Sequence, residues 1–340
     1  MTAPEAHLQA LAAGDFTELA RRLTAGGLQV TLPATGMLQL HAPRPEAMRL
    51  LVSVGVHGNE TAPIEMLASV LQSLAQAPMT LAVDLLIVVG NTAAIARGAR
   101  CIDADLNRLF CVERGALAAS AEAARADAMM IASAVFMAAP AACKWHLDLH
   151  SAIRPSRYAR FAVIPADADD PLQEPLAALL GSAAIEAMLF NSQRASTYSA
   201  YTARECGVSS CTVELGQVAV LGENAPDQLL ATRLALARLL RGATPAAGGP
   251  MPICFRVAQE IIRHSDAFSM NLDDGSHNFT AFAPGSIIAT DGAQVARAGA
   301  ATEYVVFPNP HVPVGQRAGL MVVRVDPAAS HGEEADVAGQ

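Results

Sequence analysis

Two short stretches of this chain hold side chains that can bind a metal ion. In Val54-Gly55-Val56-His57-Gly58-Asn59-Glu60, His57 and Glu60 stand three apart, directly after the apolar run Leu50 to Val56. In Trp145-His146-Leu147-Asp148-Leu149-His150, two histidines flank an aspartate. Imidazole nitrogen and carboxylate oxygen are both zinc donors. Two ligands from one loop and a third from a distant strand would leave the fourth position open, as in a catalytic rather than a structural zinc site. A His-x-x-Glu pair is weak by itself, since most such pairs bind nothing. Its setting strengthens it: a buried-strand pattern precedes it, Gly55 and Gly58 hinge it, and the helical pattern Ala62 to Leu74 follows. Ligands of open α/β sheets bind at the carboxyl ends of strands, and His57 and Glu60 stand at such an end.

In the second stretch, period-two alternation places His146, Asp148 and His150 on one face of a strand. Either histidine has the composition of a ligand. His150 lies at the strand end, facing the same crevice as His57, and is the expected third donor. His146 is expected to be a satisfied core histidine, and Asp148 a carboxylate that orients a ligand. A third stretch, Val208-Ser209-Ser210-Cys211-Thr212-Val213-Glu214-Leu215-Gly216, reads as a short strand ending in a carboxylate. Alone, Glu214 would be a solvated strand-end residue. Beside a metal it stands where a general base for an activated water belongs.

Were its ligand an anion, a chain this acidic would need local positive charge to hold it. Arg97-Gly98-Ala99-Arg100-Cys101-Ile102-Asp103-Ala104-Asp105-Leu106-Asn107-Arg108 supplies three arginines, and Arg154 follows His150 closely. The planar guanidinium suits bidentate carboxylate binding better than an ammonium does. Arg97 reads as a solvated loop residue, Arg154 as a carboxylate clamp, and Arg157 and Arg160 as surface residues.

The order His57-Gly58-Asn59-Glu60, Asp105-Leu106-Asn107-Arg108, Asp148-Leu149-His150, Val213-Glu214-Leu215-Gly216 resembles the zinc carboxypeptidase-like amidohydrolases, in their succinylglutamate desuccinylase and aspartoacylase branch. Phe255-Arg256-Val257, Asn278-Phe279-Thr280, Phe307-Pro308-Asn309-Pro310 and Gly315 to Met321 look like that branch's C-terminal β domain, so the resemblance runs from about residue 48 to 325. It implies one Zn2+ per chain on His57, Glu60 and His150, with Glu214 as the catalytic base. Arg100 is then expected to polarise the scissile carbonyl, and Asn107 and Arg108 to hold a substrate carboxylate. The aspartoacylase side of the branch also has a C-terminal tyrosine, and none stands at the equivalent place near Val314. The implied reaction is therefore hydrolysis of N-succinyl-L-glutamate to succinate and L-glutamate, the last step of arginine degradation by the succinyltransferase route. Two other readings stay open: an aspartoacylase-like hydrolase of another N-acyl amino acid, and a non-catalytic zinc or metabolite-binding protein on the same scaffold. Intact His57, Glu60, His150 and Glu214 count against the last.

Composition agrees. With 340 residues, 52% of them hydrophobic, the chain can bury one large core and a smaller domain. A formal charge of -9 argues against nucleic acid, and no basic amphipathic stretch suits a membrane surface. The first 22 residues lack the apolar core of a signal peptide, and apolar runs such as Leu85 to Val89 are too short to span a bilayer. The expectation is a soluble cytoplasmic protein with a small anionic acyl-amino-acid substrate; a homo-oligomer is left open. Cys101, Cys111, Cys143, Cys206, Cys211 and Cys254 form no C-x-x-C pair and read as free thiols.

The elements that must position these residues follow from periodicity. An N-terminal helical segment with Leu8, Leu11 and Leu19 precedes short strands near Leu28 to Leu32 and Met37 to Leu40. Strand Arg49 to Val56, helix Ala62 to Ala75, strand Leu81 to Val89, helix Ser120 to Met137 and strand Lys144 to Leu149 then alternate. Ala159 to Pro165, a helical stretch Leu172 to Leu189, the Glu214 strand and a helix Ala225 to Leu240 complete the unit. Such alternation predicts an α/β fold, a carboxypeptidase-like mixed sheet with helices on both faces. Residues 242–250 have linker composition, and the short apolar runs beyond, punctuated by Asp274-Gly275, Pro284-Gly285 and Asp291-Gly292, predict a small C-terminal β domain. The expected division is 1–245 for the zinc-hydrolase domain, 250–326 for the β domain, and 327–340 as a polar, disordered tail.

Overall fold

A computed structural model describes residues 2–44, 48–166, 174–191, 193–225, 227–243, 250–273 and 275–326. The chain opens with helices α1 (Ala3–Ala12) and α2 (Thr17–Ala25) and strands β1 (Gln29–Thr31) and β2 (Met37–His41). The alternating core follows: β3 (Met48–Val54), α3 (Ala62–Leu74), β4 (Val83–Val89), α4 (Thr92–Ala96), α5 (Ala121–Ala138) and β5 (Lys144–Ala152). Next come β6 (Arg160–Ile164), α6 (Glu174–Ser182), β7 (Ala187–Phe190), α7 (Tyr198–Cys206), β8 (Ser209–Gln217) and α8 (Leu230–Leu240). The C-terminal part contributes β9 (Ile253–Ile262), β10 (Phe268–Met270), β11 (Thr280–Phe282), β12 (Ile287–Asp291), β13 (Gln294–Arg297), β14 (Glu303–Val306) and β15 (Arg317–Val325).

The four strands β4, β3, β5 and β8 lie side by side and parallel. A parallel sheet must be covered on both faces, and the near-continuous apolar runs of β3 and β4 meet that demand, while β5 and β8 bury alternating polar and apolar residues. Leu50, Val52, Val54, Leu85, Ile87, Leu147, Leu149 and Val213 point to one face and pack with residues of α1, α2, α3, α6 and α8. Leu51, Leu86 and Val88 point to the other and pack with α5 and α7 through Met129, Phe136, Tyr198 and Tyr201. This is the mixed α/β sheet with helices on both faces that the sequence predicts.

Beyond β8 the sheet does not stop. It continues β8-β6-β7-β9-β15-β14-β11, so that twelve strands of the described residues form one sheet. Strand β9 pairs in parallel with β7, from Ala187 opposite Ile253 to Phe190 opposite Arg256. A second sheet, β10-β12-β13, packs on the C-terminal strands over a core of Ile261, Met270, Phe282, Ile288, Val305 and Met321, giving a small β-sandwich.

Several element boundaries differ from expectation. The stretch Leu172 to Leu189 is not one helix: α6 ends at Ser182, Ala184 takes a left-handed φ of 59°, and 187–190 become β7. Ala187, Met188 and Leu189 are filled apolar positions between two strands, and pairing on both edges overrides their helical propensity. Helix α8 begins at Leu230 rather than Ala225, β5 runs on through His150 to Ala152, and α4 and α7 went unanticipated. The expected tail 327–340, residues 244–249 of the linker, residue 172 and Asp274 lie outside the described residues.

Candidate metal centre and active site

The three expected ligands converge. His57 follows the end of β3, Glu60 leads into α3, and His150 sits near the end of β5, the strand beside β3. One donor atom from each lies within 4.8 Å of the others, and all three residues are buried. His57 Nδ1 is 2.7 Å from Glu60 Oε1, and His150 Nδ1 is 2.9 Å from Glu60 Oε2. The turn that makes this possible needs two glycines. Gly55 has a φ of +64°, which few L side chains adopt. Gly58 lies so close to α4 that a Cβ would stand 2.2 Å from the Ala94 carbonyl carbon.

Each imidazole is held from behind. His57 Nε2 lies 2.9 Å from Asp105 Oδ1, and His150 Nε2 lies 3.0 Å from Asp148 Oδ2. A carboxylate at the outer nitrogen can accept the Nε2 proton of each imidazole, which would leave each Nδ1 as the donor atom toward a cation held at the centre. The donor set of two oriented imidazoles and one carboxylate fits a divalent cation. Asp148 is anchored by the Ser53 hydroxyl at 2.5 Å, and Ser53 Oγ also lies 2.8 Å from His146 Nε2. His146 is buried, bound on its other side to Thr202 Oγ1 at 2.7 Å, and pushed down to about 4 by that burial. It is thus a satisfied core histidine sharing a face with Asp148 and His150.

The electrostatics follow from this crowding. Burial would raise the Glu60 carboxyl, but His150 and His57 hold it well below the ordinary carboxylate range. Burial works against a charge on either imidazole. Glu60 with Asp105 for His57, and Asp148 with Glu60 for His150, more than offset it and raise both. Asp105 is likewise pulled far down against its burial, by the His57 hydrogen bond and then by the charges of His57, Arg100 and Arg108.

Glu214 is the exception. It stands opposite His150 in the β5–β8 ladder, is 7% exposed, and its Oε2 has no hydrogen-bond partner. Burial, and then the Glu60 charge, push its carboxyl up to about 7, against the pull of His150, His57 and Arg100. A carboxyl so poised can take and return a proton near neutrality.

The structure brings the arginine loop to the same place. Arg100 Nη1 donates to Glu60 Oε1 at 3.1 Å and Nη2 to Asp105 Oδ2 at 3.3 Å. Asn107 is buried, and its Oδ1 accepts the Tyr198 N–H at 2.8 Å, so its amide oxygen is spent on the start of α7. Arg108 keeps solvent contact, yet protein packed around its guanidinium lowers its pKa. Asp105 opposes that shift, while the like charges of Arg317 and Arg100 add to it. Arg154 reaches toward the β-sandwich, donating to the Ser276 carbonyl at 3.4 Å. Arg160 pairs with Glu186 at 2.9 Å. Asp105 received no role of its own from the sequence, although it heads the Asp-Leu-Asn-Arg motif; Ser53, Thr202 and Glu122 gave no local signal.

Comparison with known proteins fits this arrangement. Residues 46–240 match the succinylglutamate desuccinylase/aspartoacylase catalytic domain, and residues 251–325 match the barrel-sandwich hybrid domain of the same proteins. The chain belongs to the succinylglutamate desuccinylase/aspartoacylase family. Among its members, succinylglutamate desuccinylase of Burkholderia lata is 40% identical over 306 residues, covering 88% of this chain and 87% of that one. The solved structure of the desuccinylase from Vibrio parahaemolyticus superposes with a TM-score of 0.82 at 34% identity, covering 89% and 90% of the two chains. That from Chromobacterium violaceum does so with a TM-score of 0.74 at 33% identity, covering 91% and 97%. Membership of this desuccinylase/aspartoacylase family makes the chain a hydrolase with a candidate metal-binding catalytic site. No helix among the described residues is long and apolar enough to cross a membrane.

Proposed function

We propose that this chain is a zinc-dependent succinylglutamate desuccinylase, cleaving the amide of N-succinyl-L-glutamate to succinate and L-glutamate in the cytoplasm. The observation that carries the reading is Glu214, a buried carboxyl raised to about 7 with one oxygen unpartnered, beside two histidines and a glutamate able to hold a cation. His57, Glu60 and His150 would hold the zinc. When bound, such an ion supplies Lewis acidity and leaves a coordination position open. Glu214 Oε2 takes a proton from the attacking water and returns it to the leaving amine nitrogen. Arg100 stabilises the negative charge that develops on the carbonyl oxygen. Arg108 and Arg154 bind substrate carboxylates, and Asn107, its oxygen already engaged, contributes its amide nitrogen. The like charges of Arg317 and Arg100 beside Arg108 favour an anionic group there over a neutral one.

The test is amine release from N-succinylglutamate, N-acetylglutamate and N-acetylaspartate, with zinc-loaded and chelator-stripped protein. A zinc-dependent preference for the succinyl compound is expected. Preference for an acetyl compound would move the chain to the aspartoacylase side of the family, and inactivity on all three would overturn the reading.

A further inference from the structure

The loop that carries Arg100 and Asp105 has no strand or α-helix of its own to hold it. From one side it is tied to the ligand turn, where Gly58 N–H donates to the Arg100 carbonyl at 3.0 Å. From the other it is wrapped around one side chain. Glu122, in the first turn of α5, is 2% exposed. Its Oε1 accepts the Ile102 N–H at 2.6 Å and the Asn91 side-chain N–H at 3.1 Å; its Oε2 accepts the Asp103 and Ala104 N–H groups, each at 3.2 Å. Asn91 in turn caps α4, accepting the Ala94 N–H at 3.1 Å. Three successive backbone amides, lying between Arg100 and Asp105 in the sequence, thus point at one buried carboxylate.

Helix capping does not account for this. The N-terminus of α5 is served separately by Asp103, whose Oδ2 accepts the Ala121 N–H at 2.9 Å. Glu122 instead points back out of the helix into the loop, and its charge is what lets it satisfy several donors at once. A neutral amide of the same shape would offer one oxygen and turn an NH2 group toward backbone N–H donors.

We propose that Glu122 is a positioning residue of the hydrolytic site. Through the 102–104 amides it fixes Arg100 against Glu60 and Asp105 against His57, and so sets both the oxyanion-stabilising guanidinium and the tautomer of one metal ligand. This rests on the role given above to Arg100, and on the metal-binding role of His57.

The test is a double-mutant cycle on the full-length chain. E122Q is expected to lower kcat on N-succinylglutamate roughly 10- to 100-fold, the range seen when groups behind a ligand are lost, while KM changes less. In an R100A background the same change is expected to add less than about three-fold, because residues acting as one unit are not additive. D103A, which removes the acceptor of the Ala121 N–H, serves as the control for helix capping, with a lowered Tm and unchanged kcat. A second arm needs no turnover: zinc affinity measured by chelator competition is expected to fall in E122Q and in D105N, and no further in the double variant. If E122Q does not fold, E122D, which keeps the charge but shortens its reach, goes through both arms. Additive losses in both arms, or unchanged kcat and zinc affinity in E122Q, would overturn the proposal. If the wild type cleaves none of the acyl amino acids, the functional reading fails on its own, and the zinc arm alone decides whether Glu122 acts through Asp105.

Discussion

At the scale of the residue, Glu214 bears the least compensated charge of the site, and two consequences follow. Losing its carboxylate in E214Q should cut turnover by on the order of 10²- to 10⁴-fold while zinc stoichiometry, read by elemental analysis, stays at the wild-type value; near-normal turnover would remove Glu214 from the chemistry. The second concerns stability. A carboxyl raised to about 7 in the fold favours its neutral form there, so its stabilising contribution is complete below the ordinary carboxyl range and lost as pH rises through about 7. Metal-free E214Q should therefore be more stable than the metal-free parent at pH 8, by on the order of 2 kcal/mol, with the gap closing by pH 5. Denaturant titrations at the two pH values read this, and an equal gap at both would contradict it. Asp148 acts differently, by aiming His150. D148N should weaken zinc binding roughly 10- to 100-fold in chelator competition, and unchanged affinity would mean that His150 needs no orientation. His57, Glu60, His150 and Glu214 could be read from the sequence because strand ends put them in recognisable short motifs. Asp105, Ser53 and Glu122 could not, because what selects them is a partner forty-eight, ninety-five and about twenty residues away.

At the scale of the element, the ligand turn depends on the closeness of two backbones. Gly58 is pressed against the end of α4 and the residues just after it, with Ile95 N 2.3 Å and Ala99 O 2.6 Å from where a Cβ would be. None of these atoms is the end of a flexible side chain, so the turn itself must move. G58A should cost about 2–4 kcal/mol in a urea titration, as overpacked sites do, and should weaken zinc binding as well. A variant as stable as the parent would show that the turn and α4 separate freely. The alternating elements around this turn were legible because β3 and β4 read as near-continuous apolar runs and β5 as a regular apolar–polar alternation, all three being largely buried. Strand β7 was not, since Ala187-Met188-Leu189-Phe190 carries no period of its own and follows a helix with little punctuation. Its strand state comes from β6 on one side and β9 on the other, residues distant in the chain.

At the scale of the whole molecule, linker composition near residues 242–250 suggests a place to cut, but the hydrogen bonding runs across it. Removing everything after residue 250 would leave β7 with an unpaired, buried edge of apolar residues, the kind of edge that recruits other chains. Residues 1–250 made alone should aggregate on size-exclusion chromatography and be rescued by co-expression of residues 251–340. A monodisperse, stable fragment would show that the β-sandwich is dispensable for the fold. Further ties lie near the site. Asn278 donates its N–H to the Pro155 carbonyl, accepts the Arg157 N–H on its own carbonyl, and accepts the Phe307 N–H on its side chain. The stretch just past His150 is thereby sewn to the sandwich. A sheet continuous through both halves has no hinge line, so the sandwich cannot swing aside like a door, and any gating belongs to loops. The same continuity limits recombination. A chimaera that takes the C-terminal half from a relative inherits only one edge of the β7–β9 seam, and the graft must match the other edge residue by residue.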